Sequence, residues 1–164
     1  MDIIWEELTS GLPDARQLAQ VLIRLSAATL LGAVVGFQRE RAGKPAGLRT
    51  HMLVTLGTAV FVLACAGVGM SLDGLSRVIQ GLVTGIGFIG AGSILKLSQE
   101  RDIQGLTTAA GVWMTAAIGV AVGLGSIGVA VLSTLFTLII LSFARRIERQ
   151  VSEGRAAEVD AKNN

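Results

Sequence analysis

A chain of 164 residues suits a single domain, and this one is 51% hydrophobic with only 16% of its residues charged. Fourteen Lys and Arg against twelve Asp and Glu give a net charge of +2, and the basic residues sit in groups between apolar runs, so the charge balance does not point to nucleic acid. Cys65 is the only cysteine, which excludes an intrachain disulfide and leaves it as a small mid-span core residue.

The chain opens on Met1 to Gln17, with Asp2, Glu6, Glu7 and Asp14. This stretch lacks the basic start and short apolar core of a cleavable signal. Residues 1–17 are expected to remain as an extracytoplasmic N-terminal segment, a short surface helix carrying Trp5. After it, no acid occurs between Ala15 and Arg39, Arg41 and Leu72, Gly74 and Gln99, or Ile103 and Ile147. Apolar, acid-free runs of bilayer-crossing length predict membrane spans. Their expected positions are Leu18 to Phe37, Met52 to Met70, Val78 to Leu95, Leu106 to Leu124 and Ile127 to Ala144. Residues 18–145 then form the membrane domain, and residues 146–164 a cytoplasmic polar tail.

Five spans put the termini on opposite sides. Arg16, Arg24 and Arg77 fall on the side of the N-terminus. Arg39, Arg41, Lys44, Arg49, Lys96, Arg101, Arg145, Arg146, Arg149, Arg155 and Lys162 fall on the other. Eleven basic residues against three make the second side cytoplasmic.

Two parts of the chain repeat. Gly47-Leu48-Arg49-Thr50 opens one apolar run and Gly105-Leu106-Thr107-Thr108 another. Each is preceded by a run with an arginine and a glycine eight residues later, Arg24 with Gly32 and Arg77 with Gly85. A repeated pattern of this kind predicts a repeated structure. The fold class expected is an all-α integral membrane protein with five transmembrane helices: two parallel-repeat helical hairpins plus a fifth helix. The halves would be related by an axis along the membrane normal. The fifth helix, rich in Leu, Ile and Val, is expected at a lipid-facing edge or in a subunit contact.

The third run carries Gly81, Gly85, Gly87, Gly90 and Gly92. Gly85-Ile86-Gly87-Phe88-Ile89-Gly90 fits a dinucleotide fingerprint in letters, but the strand before and soluble helix after it are missing. Close helix packing is the favoured reading, through pairs such as Gly81 with Gly85, Gly32 with Gly36, and Gly119 with Gly123. A break in the helix between Gly87 and Gly92, lining a pathway, is the alternative.

The intramembrane or rim polar candidates are Arg24, Arg77 and Gln80. The two arginines either snorkel to headgroups or serve function or assembly. The densest polar feature is the loop from Gln38 to His51. It supplies candidate ligand or partner residues Arg39, Glu40, Arg49, Thr50 and His51, with Thr107 and Thr108 at the second repeat. Thr50 and Thr108 are expected as N-caps. Two helix starts beside Arg39, Arg41, Lys44 and Arg49 suit a lipid phosphate, a soluble phosphate or a partner's carboxylate. The plainer reading is positive-inside topology with ordinary capping. Mg²⁺ usually takes one or two carboxylates, and no expected span holds one in its interior, so Thr84, Gln80 and Ser93 would be left to line a path. No metal-ligand set, cofactor site or nucleophile–base–acid arrangement is recognisable, and no enzymatic activity is expected.

Gly36-Phe37-Gln38-Arg39-Glu40 with Lys44-Pro45-Ala46-Gly47-Leu48-Arg49-Thr50-His51 resembles the MgtC/SapB family. So do Ser76-Arg77 leading into Gly85-Ile86-Gly87-Phe88-Ile89-Gly90-Ala91-Gly92, and Gly105-Leu106-Thr107-Thr108-Ala109-Ala110 with Trp113. The resemblance covers Leu22 to Gly125. It implies a bacterial inner-membrane protein of about five spans, linked to growth under magnesium limitation and, in pathogens, to survival inside phagocytes. Gln38 stands where many relatives carry Glu. Many family members have a soluble domain after the membrane part, whereas this chain is similar to the short SapB-like form. Two roles are implied. One is stress adaptation through binding a membrane partner or anionic ligand at the basic cytoplasmic face. The other is a transporter or channel for Mg²⁺ or another small ion. The partners expected are membrane lipid, other inner-membrane proteins and a second copy in a dimer, with no nucleic acid.

Overall fold

Asp14 starts the first helix, because its Oδ1 accepts the Gln17 N–H at 2.7 Å and satisfies a donor left over at a helix start. The computed structural model describes Ile4, residues 14–96 and residues 103–143. Helix α1 runs Ala15–Arg41, longer at both ends than the apolar run alone predicts. Asp14 extends its start into the stretch expected to be a separate N-terminal segment. Arg39 and Arg41 extend its end, where cations complement the helix dipole. Helix α2 is Leu48–Gly67 and helix α3 Leu72–Gly92. Ser71 starts α3 by accepting the Gly74 N–H at 3.2 Å, well before the first residue of the expected span. Helix α4 is Leu106–Gly123, close to expectation. Helix α5 is described over Ile127–Phe143.

Between α3 and α4 the chain forms a short antiparallel ladder that the sequence did not announce. Strand β1 (Leu95–Lys96) pairs with β2 (Ile103–Gln104). Gly105 then turns the chain into α4 at φ 101°, and an added Cβ there would strike the Ser93 carbonyl. Only glycine fits both conditions.

Helices α1 to α4 are each long and apolar enough to cross a membrane, whereas the described part of α5, 17 residues, is shorter. This is an all-helical membrane protein. Helices α2 and α4 pack against each other in the middle, α1 lies against α2 and also reaches α4, and α3 leans on α4 with little contact to α2. The tight joints are made by glycines on α1 and α4. A Cβ on Gly32 would meet Thr55 and the His51 carbonyl, and one on Gly36 would stand 2.7 Å from the Leu48 Cα. A Cβ on Gly119 would meet Thr58 and the Thr55 carbonyl, and one on Gly123 would stand 2.7 Å from the Val62 Cβ. Backbones approach this closely only where side chains are missing. Around these joints Ala28, Val35, Ala59, Ile118 and Val122 form the core. Helix α5 adds Ala130 and Leu141 to the same core and buries Thr134 and Thr137, a stripe at helical spacing. Its other large side chains, such as Leu132, Phe136 and Ile140, face outward. Cys65 is buried in α2. The membrane-level hydroxyls are satisfied locally: Thr29, Thr58, Thr84, Thr115, Thr134 and Thr137 each donate to the carbonyl four residues back.

The glycines of α3 behave differently. Of Gly81, Gly85, Gly87, Gly90 and Gly92, only Gly90 packs among the described residues, with its missing Cβ 3.5 Å from that of Ala109. A Cβ on Gly81, Gly85, Gly87 or Gly92 would meet nothing within 4 Å. Among the described residues the expected packing through Gly81 and Gly85 is therefore not seen within one chain, because α3 turns Ile79, Leu82, Val83 and Ile86 toward α4 instead. Those four, with Trp113, Ala116, Ala117 and Val120, line an apolar groove of about 150 Å³. The expected alternative, a break between Gly87 and Gly92, is also absent, since α3 is continuous to Gly92.

Candidate functional site

The end of α1 meets the starts of α2 and α4, and polar side chains from all three are buried there. Arg39, in the last turn of α1, is only 2% exposed, and its Nη2 donates to Thr108 Oγ1 of α4 at 2.9 Å. His51, one turn into α2, is fully buried, with Nδ1 2.6 Å from Thr115 Oγ1. The Thr115 hydroxyl donates its hydrogen to the Gly111 carbonyl at 2.8 Å. The imidazole is held between this hydroxyl and the Ala46 backbone, which also hydrogen-bonds it. Gly111 lies beside both Arg39 and His51, with room for an ordinary contact. A Cβ there would lie 3.8 Å from the His51 Cε1 and 4.0 Å from the Arg39 Nε. A buried guanidinium is costly unless its hydrogen bonds are met, so this cluster holds α1 and α4 in one register.

Glu40, next in sequence, points the other way. Its Oε2 accepts the Leu48 N–H at 2.9 Å and so caps α2 from the end of α1. Gly47 makes room for it, because a Cβ there would lie 2.8 Å from that oxygen. The caps of α2 and α4 are Gly47 and Gly105, not Thr50 and Thr108 as expected. Each Gly-Leu-x-Thr thus places glycine before the helix and threonine inside its first turn. Capping by threonine fails because the α2 donors face Glu40 and the Thr108 hydroxyl faces Arg39. Glu40→Ala is expected to cost about 1 kcal/mol, the usual value of a lost cap. Thermal unfolding of the purified protein in detergent would show this, with Glu40→Gln recovering part of it.

The remaining candidates scatter. Lys44, Arg49 and Thr107 are exposed, Thr50 is half-buried, and Arg41 lies over the Phe37 ring at 4.4 Å. Arg24 reaches across to the end of α4. Its Nη1 donates to the Gly123 carbonyl at 3.0 Å and caps the end of α4, beside Gly125 at φ 83°. Arg77 and Gln80 are exposed on α3. Thr84 is exposed on α3, and Ser93 donates to the Gly90 carbonyl at its end, so the hydroxyls proposed for a cation path do not converge. Among the described residues no three His, Cys, Asp or Glu side chains come together. Sequence reading missed Thr115 and Gly111. The available signal was the spacing Thr108, Gly111, Thr115, Gly119, a small and polar stripe along one helix face.

The family model described as MgtC family matches residues 25–150, which include the whole buried cluster. The chain belongs to the MgtC family. It is similar to SrpB of Synechococcus elongatus, with 44% identity over 137 residues, covering 77% of this chain and 75% of SrpB. It is also 44% identical to YhiD of Escherichia coli K12 over 131 residues, covering 75% of this chain and 60% of YhiD. To MgtC of Salmonella typhimurium it is 38% identical over 132 residues, covering 80% of this chain and 55% of that protein. The chain therefore spans less than two thirds of YhiD and of MgtC. No solved structure matches it.

Proposed function

We propose that this chain serves bacterial adaptation to magnesium limitation from the inner membrane, by binding an acidic surface of another membrane protein at its basic cytoplasmic end. In this reading five spans cross the bilayer as two parallel hairpins and a fifth helix, with the N-terminus outside and the C-terminus in the cytoplasm. The chain is not an enzyme. The magnesium link comes from the family, in which YhiD is provisionally described as a magnesium transporter.

One observation carries the binding role over transport. Arg39 and Glu40, the adjacent charges at the centre of the candidate site, are both already engaged, Arg39 buried against Thr108 and the exposed Glu40 on the start of α2. The α2 start is thus already supplied with a carboxylate, which argues against a small anion there. A buried guanidinium at the joint of three helices opposes a divalent cation. Lys44 and Arg49 remain outward on a rigid base, an arrangement suited to a carboxylate-bearing partner. Purified protein in liposomes is expected to carry no Mg²⁺ flux. Lys44→Ala with Arg49→Ala is expected to reduce co-purification of membrane partners while leaving thermal stability unchanged. Mg²⁺ flux down an imposed gradient would favour the transporter reading instead, and unchanged co-purification would remove the basis of this one.

A further inference from the structure

Of the four long helices, α3 is the least apolar and also the least buried. In a bilayer this is the wrong way round, because the helix most exposed to lipid should be the most apolar. The side of α3 that turns to α4 is apolar. At 100° per residue the opposite side carries Asp73, Arg77, Gln80, Gly81, Thr84, Gly85, Phe88 and Gly92, all exposed. Gln80 makes one long side-chain hydrogen bond, Nε2 to Ser76 Oγ at 3.3 Å.

We propose that this face of α3 is the contact between two copies of the chain, side by side in the membrane. Every copy inserts with the same orientation, so the two α3 helices run parallel around a twofold axis along the membrane normal. Asp73 and Arg77 lie one turn apart near the start of the helix. In a parallel pair, Asp73 of one copy meets Arg77 of the other, and the reverse contact forms by symmetry. Gln80 of each copy then faces its equivalent across the axis, where amide pairing replaces exposure to hydrocarbon. Phe88, 84% exposed, lies between Gly85 and Gly92, whose missing side chains leave a flat surface for the Phe88 of the other copy. Charge, amide and ring each find their complement on the same face of an identical helix, and this selects a second copy over an unrelated partner. It does not depend on the function proposed above.

The test is disulfide cross-linking of the full chain in native membranes, in a Cys65→Ala background. Single cysteines at Gln80, Thr84 and Phe88 are expected to give a covalent species of twice the chain mass. Cysteines at Leu53 on α2 and Phe136 on α5, which also face outward, are expected to give none. Gly81→Leu projects into open space in a single copy, so it should leave thermal unfolding of the monomer unchanged while reducing cross-linking at Thr84→Cys. Asp73→Arg should reduce it about fivefold, a fold-change suited to a partly exposed ion pair, and Arg77→Asp added to it should restore it. Cross-linking at Phe136→Cys but not on α3, adducts with a different protein, or no adduct from folded protein would each overturn the proposal.

Discussion

Gly119→Ala is expected to destabilise the protein by about 3 kcal/mol, although alanine is the better helix former. The new methyl would fall on the Thr58 hydroxyl and the Thr55 carbonyl, with the Thr55 Cα 2.9 Å away. A side chain can turn aside, but the α2 backbone cannot, so α2 and α4 must separate. That separation would loosen the contacts of Ile118 and Val122 with Ala59. Two further variants isolate the cause. Gly57→Ala, where an added Cβ meets nothing within 4 Å, should be neutral or stabilising by roughly 0.5–1 kcal/mol. Adding Thr58→Ala to Gly119→Ala should recover only part of the loss, since the carbonyl clash remains. Thermal unfolding in detergent, or denaturant titration in mixed micelles, reads all three. A Gly119→Ala protein as stable as Gly57→Ala would mean that α2 and α4 are not in backbone contact.

What was legible in the sequence follows from the range of the forces involved. Acid-free apolar runs placed the four long helices, because hydropathy and length are local properties. Their ends were less legible. Asp14 and Ser71 lengthen α1 and α3 beyond the apolar runs through caps lying outside them. The start of α2 was misread because the carboxylate satisfying it comes from Glu40, eight residues earlier, and reaches Leu48 only after the chain has turned. Arg39 looked like a surface charge among other basic residues. Its burial is decided by α4, where the Thr108 hydroxyl is 69 positions away in sequence. Glycine spacing was read correctly as a packing signal on α1 and α4. On α3, Gly81, Gly85, Gly87 and Gly92 meet no partner among the described residues, and spacing alone cannot say which neighbour a glycine face serves.

The Arg39 joint gives the second large effect, and three substitutions there should not behave alike. Arg39→Ala removes a nearly buried side chain, leaves a cavity between α1 and α4 and strips Thr108 of its donor, a loss of about 2–4 kcal/mol. Thr108→Val keeps the volume but deprives a buried guanidinium of an acceptor, at about 1–3 kcal/mol. Arg39→Met fills most of the space without a charge to solvate. Buried ion groups replaced by apolar ones of similar size often cost little, so its loss should be well under that of Arg39→Ala. The cycle can be closed: in the Arg39→Met background Thr108→Val should cost almost nothing, because the pair it would break no longer exists. Arg49→Ala, on the exposed first turn of α2, should leave stability unchanged throughout. If Thr108→Val costs the same with and without Arg39, the hydroxyl matters only to its own helix and the clamp is not energetic. If the cost vanishes with Arg39, the buried cation is what fixes α1 against α4, and the outward basic residues inherit their positions from it.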